Sequence, residues 1–168
     1  MVYFTSDTHY HHENIIRYSG RPFKDVLEMN IEMAARWNER VLPQDTVYHL
    51  GDFAMGKAEL LDPTRAALRG RIVLILGNHD RSRRRMLQAG FDEVHEKLTL
   101  KHGDHTLFMR HHPPAVALGS AIPYCDYYLC GHVHEAWARR GKVINVGVDV
   151  SHFRPLTLRE LLDRDAPA

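Results

Sequence analysis

The sequence predicts an α/β fold, and three observations predict it. Short apolar runs alternate along the 168 residues with stretches of helical spacing. One run, Ile72-Val73-Leu74-Ile75-Leu76, is apolar without alternation, as a strand covered on both faces requires. The apolar runs also end repeatedly in Asp, Asn or His, at the strand ends where open α/β sheets build their sites.

The elements follow in order. Val2-Tyr3-Phe4 reads as an opening strand. Across residues 27–41, Leu27, Ile31, Ala34, Ala35, Trp37 and Val41 fall near helical spacing until Pro43 stops the pattern. Thr46-Val47-Tyr48-His49-Leu50 reads as a second strand. Asp62-Pro63 reads as an N-cap with proline in the first turn, opening a short helix that Gly70 ends. Residues 83–89 are predicted helical, with Gly90 as the stop. Residues 94–100 and 106–109 flank Gly103-Asp104 as a hairpin. Tyr127-Tyr128-Leu129-Cys130 reads as a strand, and residues 137–139 and 143–146 flank Arg140-Gly141-Lys142 as a second hairpin. Thr157-Leu158-Arg159-Glu160 matches a capping box and opens a last helix, after which residues 165–168 are expected to fray. With no internal repeat and no Gly/Ser- or Pro-rich linker, one domain over 1–168 is expected.

Composition narrows the function. No apolar run approaches the roughly 20 residues of a membrane span. The opening residues lack a basic leader and an apolar signal core, and Cys125 and Cys130 are too few for a disulfide framework, so the cytoplasm is expected. Both cysteines read as small core residues, as Trp37 and Trp137 read as packing residues. A net charge of +1 is weak footing for broad nucleic-acid binding. The 13 His are the anomaly, and they point to metal or proton chemistry.

Their positions are more telling than their number. Five apolar runs end in metal-competent side chains: Asp7 and His9, Asp52, Asn78-His79-Asp80, His111-His112, and His132 with His134. Gly51, Gly77 and Gly131 stand among them, where a strand must turn sharply. Asp, Asn and His without Cys suit a borderline divalent ion such as Mn, Fe, Zn, Co or Ni, and argue against a Ca or Mg cage. Seven or so ligands exceed one tetrahedral site and fit two ions sharing a carboxylate. Two divalent cations bring +4 against the −2 of Asp7 and Asp52, leaving about +2, which favours hydroxide and an anionic ester.

In order, D-x-H at Asp7, G-D at Asp52, G-N-H-D at Asn78, a lone His and G-H-x-H at His132 resemble the calcineurin-like metallophosphoesterase superfamily. The run from Asp7 to Ile16, with Gly20-Arg21-Pro22-Phe23, resembles its small prokaryotic branch. The resemblance implies two packed β-sheets flanked by helices, a four-layer sandwich with a dinuclear site at the strand carboxyl ends. It implies that Asp7, His9, Asp52 and His134 hold one ion, while Asp52, Asn78, His111 and His132 hold the other. His111 is preferred to His112 because the family's ligand sits at the strand end, here two residues before Pro113. His79 resembles the general acid, with Asp80 orienting its imidazole and raising its pKa, and Asn78 touching the phosphate. A metal-bridging hydroxide would then attack phosphorus in line, Mn being the favoured metal.

Other residues carry two readings each. Arg21 is a bidentate phosphate contact or a salt bridge. His11, His12 and His112 are substrate contacts or partners of the ligands. Arg81, Arg83, Arg84 and Arg85 steer a polyanion or form a solvated face, the latter favoured. Residues 113–123 are a pocket wall or a plain connection. Asn145 or Asp149 buttresses the G-H-x-H loop or simply turns. The resemblance implies a phosphodiesterase, with a phosphomonoesterase or a nuclease trimming nucleic-acid ends as alternatives. A lactamase-like hydrolase would want His-x-His-x-Asp-His, which is absent, and a non-catalytic interaction module on this fold would have lost ligands. The expected partners are a phosphate ester, including nucleotides or short nucleic acids, and a second copy in a homodimer.

Overall fold

The computed structural model of the chain describes residues 1–114 and 125–164. It contains two sheets. In the first, β1 (Val2–Thr5), β2 (Thr46–His49), β3 (Arg71–Ile75) and β4 (Glu93–His95) are parallel and lie in sequence order. The second combines β5 (Leu98–His102), β6 (His105–Met109), β7 (Tyr127–Cys130), β8 (Arg139–Arg140) and β9 (Val143–Asn145) in the order β5-β6-β7-β9-β8. Its central strands β6, β7 and β9 are parallel, and its two edges are antiparallel hairpins.

Alternation along the strands builds two cores. Phe4, Leu50 and Ile75 on one side meet Leu107, Met109, Leu129 and Ile144 on the other, so the sheets pack face to face. Tyr3, Val47, Ile72 and Leu74 belong to the opposite face of the first sheet, where they join helical residues. Those come from α1 (Glu13–Tyr18), α2 (Val26–Arg40), α3 (Leu61–Ala66) and α4 (Arg83–Gln88). At roughly 1.5–3 kcal/mol for each large apolar side chain buried, the two cores hold the fold. Four of the five helices are too short to persist alone. The last, α5 (Leu158–Leu162), opens with the expected capping box of Thr157 and Glu160 and packs its Leu158 and Leu161 into the intersheet core.

Several expectations need correction. Residues 94–100 are not one strand: β4 ends at His95 in the first sheet, and the chain crosses over so that β5 begins the second. Only the Leu98–His102 part forms the hairpin, around Gly103-Asp104. Asp62 is not an N-cap, because a 3-10 turn over Ala58–Leu60 runs straight into α3 and leaves Asp62 to pair with Arg85. On α2 the buried stripe is Met29, Met33 and Trp37, four residues apart, whereas Leu27 and Ile31 are exposed on the other face. The helix α1 was not anticipated. Most of residues 113–123, and 165–168, lie outside the described residues.

Candidate metal centre

Strand register gathers the motif loops. Thr5 pairs with His49 and His49 with Leu74, so β1, β2 and β3 end together and release residues 6–9, 50–53 and 76–80 at one edge. In the second sheet Met109 pairs with Leu129 and Cys130 with Asn145, which brings residues 110–112, 131–134 and 146–149 to one end. A bridge between Ser6 and Gly147, with the Val148 amide donating to the Ser6 carbonyl at 3.0 Å, joins the two ends.

The loops are then tied to one another. The Asp7 and His9 amides donate to the Gly51 and Asp52 carbonyls at 2.9 and 3.0 Å. Asp52 Oδ1 accepts the His79 amide at 2.9 Å, and the His132 amide donates to the Asp7 carboxylate at 3.0 Å. A Cβ at Gly77 would overlap the Asp52 carboxylate, and one at Gly131 would overlap the Asp7 carboxylate and the Ser6 hydroxyl. The loops therefore touch through backbone. Such tight turns force left-handed backbone on residues with side chains: Asp7 (φ 57°), His9 (50°), Asp52 (55°), His132 (72°) and His134 (45°). Each costs of order 1–3 kcal/mol, which the contacts around it must outweigh.

The side chains so aimed form three overlapping groups: Asp7, His9 and His134; Asp7, Asp52 and His111; and His111, His112 and His132. Within each group one donor atom per residue lies within 4.8 Å of the others. Asp52 Oδ2 stands 3.6 Å from His9 Nε2 and 3.4 Å from His111 Nε2, so each pair is close enough to ligate a common small cation. Asn78 Oδ1 is 3.1 Å from His111 Nε2. Both ring nitrogens of His9 are buried without a hydrogen-bond partner, which costs about 1–3 kcal/mol for an orphaned polar group. A cation at Nε2 would supply the missing partner, so the donor set fits a divalent metal.

Neighbouring groups fix the imidazoles. His111 Nδ1–H donates to the Leu50 carbonyl at 2.7 Å, and His134 Nδ1–H donates to Asp149 Oδ2 at 2.9 Å. Each bond leaves Nε2 free as a ligand. Burial pulls His9 down to about 3, against the nearby Asp52 carboxylate. Burial also depresses His111, but the hydrogen bond to Asp52, the Asp7 charge and the Leu50 carbonyl outweigh it and hold the ring up at about 9. Asp7 is raised by burial. Asp52 is lowered, burial being overcome by its contacts with His111, His79 and His9.

Comparison with known proteins decides the family. The model of the calcineurin-like phosphoesterase superfamily domain matches residues 1–152. The chain belongs to this superfamily. It is 32% identical over 170 residues to the uncharacterized protein MJ1445 of Methanocaldococcus jannaschii, covering 94% of this chain and 86% of that one. The crystal structure of AQ665 from Aquifex aeolicus, a protein of unknown function, superposes with a TM-score of 0.75 at 31% identity, covering 96% of this chain and 97% of that one. The two sheets and flanking helices are those of the metallophosphoesterase fold.

Within this chain the structure selects one of the two readings of Arg21 and changes the role expected of Asp80. Arg21 makes a salt bridge rather than a phosphate contact, and a buried one: Nε and Nη2 contact the Asp149 carboxylate at 2.8 and 3.0 Å, and Nη1 and Nη2 reach the Thr8 and Asp7 carbonyls at 2.9 and 2.7 Å. It clamps the D-x-H loop and, through Asp149, His134. Asp80 does not orient His79. Its carboxylate accepts the amides of Asp52, Phe53 and Gly77 at 2.8–2.9 Å, where three backbone donors outcompete a solvent-exposed ring. His79 itself is exposed, with its ring 5.6 Å from that of His9.

The remaining histidines divide. His12 lies beside His9 at 5.3 Å between rings, and His112 is 4.2 Å from His132 in a group of possible ligands. His11 turns away, contacting Asn30 at 3.0 Å and Thr64 at 2.7 Å. His49, which the sequence did not single out, is buried between Thr8 and the Gly51 amide. Asn145 and Asp149 both buttress the last loop, Asn145 by donating to the His134 and Trp137 carbonyls at 2.8 Å. Arg81, Arg83 and Arg85 are engaged by the carbonyls of Gly56, Val94 and Ala58.

Proposed function

We propose that this chain is a dinuclear metal-dependent phosphodiesterase, with Mn the preferred ion. Asp7, His9, Asp52 and His134 would hold one ion, and Asp52, Asn78, His111 and His132 the other. The observation that carries the reading is the Asp52 carboxylate oxygen between the His9 and His111 nitrogens, the place of a ligand shared by two ions. When bound, the ions supply an activated water and positive charge for the phosphoryl oxygens.

The protein's own groups do the rest. The Asn78 amide, exposed beside His111, can contact a phosphoryl oxygen. His79, exposed on the open side, gives a proton to the departing alcohol. Arg21 and Asp149 hold the His134 ring so that Nε2 faces inward. Among the described residues that line the cleft over these imidazoles there is no Lys or Arg, so beyond the ions and imidazoles no side chain offsets the second charge of a monoester dianion. That favours a singly charged diester, including nucleotide diesters.

The test is chelator-stripped protein assayed with bis- and mono-p-nitrophenyl phosphates, cyclic nucleotides and short oligonucleotides, each divalent ion being added back in turn. Diester preference with Mn is expected. Monoester preference would overturn the substrate class, and no hydrolysis with any ion would favour a non-catalytic module.

A further inference from the structure

The cleft above His9, His79, His132 and His134 has a volume of about 510 Å³, within the range of small-ligand sites. Its outer wall is chemically unlike its floor. Among the described residues, Ile15, Tyr18, Met55 and Val133 make it, and Glu135 is its one acidic group. Tyr18 ends α1 and is 66% exposed, outside all three apolar clusters. Its ring stands edge-on to His12 at 6.3 Å, and His12 is in turn 5.3 Å from His9. A large ring is thus left to solvent two ring-to-ring steps from His9, one of the proposed ligands.

We propose that this wall seats a planar, uncharged substituent of the phosphoester, an aryl or nucleoside group, stacked on Tyr18 and flanked by Met55 and Val133. Glu135 repels a substituent that carries a further phosphate. The inference rests on the phosphodiester reading and adds to it what the ester oxygen carries. Stacking of a base on an aromatic side chain contributes about 1–3 kcal/mol, or roughly 5- to 150-fold in binding. Hydrolysis itself is unchanged: water adds at phosphorus, the P–O bond breaks, and the departing oxygen keeps the electron pair.

The test holds the leaving group constant. Methyl, phenyl and thymidine 5′-p-nitrophenyl phosphates all release p-nitrophenolate and differ only in the second substituent. The phenyl and thymidine esters should exceed the methyl ester in kcat/KM by about tenfold, mainly through KM. Tyr18→Ser should bring the three within about twofold of one another while sparing the methyl ester. Glu135→Gln should improve a thymidine ester carrying a 3′-phosphate and leave the plain thymidine ester unchanged. Equal turnover of the three esters by the wild type, or equal loss on all three in Tyr18→Ser, would overturn the proposal. In parallel, NMR titration with diphenyl and dimethyl phosphate reads seating without turnover. If no ester is hydrolysed yet diphenyl phosphate alone shifts the Tyr18 ring resonances, the phosphodiester reading falls and the aromatic seat stands. If esters are hydrolysed and neither phosphate moves Tyr18, the seat falls and the reading stands.

Discussion

The two halves of the centre are built differently. Around Asp7, His9 and His134, side chains are buried or half-buried, and Arg21 reaches three of the supporting groups from within the protein. On the other side only His111 is buried, its ring held by the Leu50 carbonyl; around it the side chains of Asn78, His79, His112 and His132 are exposed, and the loops that carry them are tied through backbone amides such as those of His79 and His132. Rigid, dry ligands favour tight holding, whereas exposed ones can adjust to a substrate that changes shape as it reacts. Asp52 belongs to both halves, with Oδ2 toward the rings and Oδ1 on the His79 amide.

That contrast can be broken most severely at its shared member. Asp52→Asn should abolish measurable turnover and reduce the metal content of dialysed protein by more than the roughly 100-fold in affinity that an outer partner costs. Elemental analysis beside a diester assay measures both. Next, His79→Ala should slow alkyl diesters by about 10²- to 10⁴-fold and p-nitrophenyl esters far less, since p-nitrophenolate leaves without a proton. Equal loss on both would remove the acid role from the open half. Asp149→Asn should weaken metal binding about 10- to 100-fold at one equivalent and leave the other unchanged, as read by calorimetric titration.

The metal-free protein offers a gentler test. His111, held at about 9 in the fold, stabilises it fully below the unfolded imidazole's 6.5, and that contribution is lost as pH rises through about 9. His9 behaves oppositely. Held near 3, it stays neutral while the unfolded chain takes up a proton, so stability falls as pH drops from 6.5 toward 3. The Tm of chelator-treated protein should therefore decline on both sides of neutrality. Saturating metal should flatten the alkaline side, because its binding has already displaced the His111 proton. The smallest effect is expected at Arg84→Gln, within about 0.5 kcal/mol of stability.

Much of this is legible in the sequence. A strand such as Ile72-Val73-Leu74-Ile75-Leu76 announces itself through composition, and a ligand loop through where it sits at a strand's end. What stayed hidden depends on partners remote in sequence. Arg21 reads as either a phosphate contact or a salt bridge because nothing local reveals Asp149, 128 residues away. The Asp80 carboxylate looked like a partner for the adjacent ring, but three amides converge on it from two loops. The switch of sheets between His95 and Leu98 has no breaker residue to mark it. On α2 both faces carry apolar residues, so periodicity alone could not choose Met33 over Ile31.

The left-handed turns at Asp7, His9, Asp52, His132 and His134 also limit how the centre can be edited. Alanine there deletes a donor and in addition sits badly on the peptide spine, so an alanine scan would mix lost chemistry with a distorted loop. Asparagine tolerates that conformation far better. It is the replacement of choice for silenced proteins meant to trap intact substrate, and over generations it is the exchange through which these positions can drift with least damage to the frame.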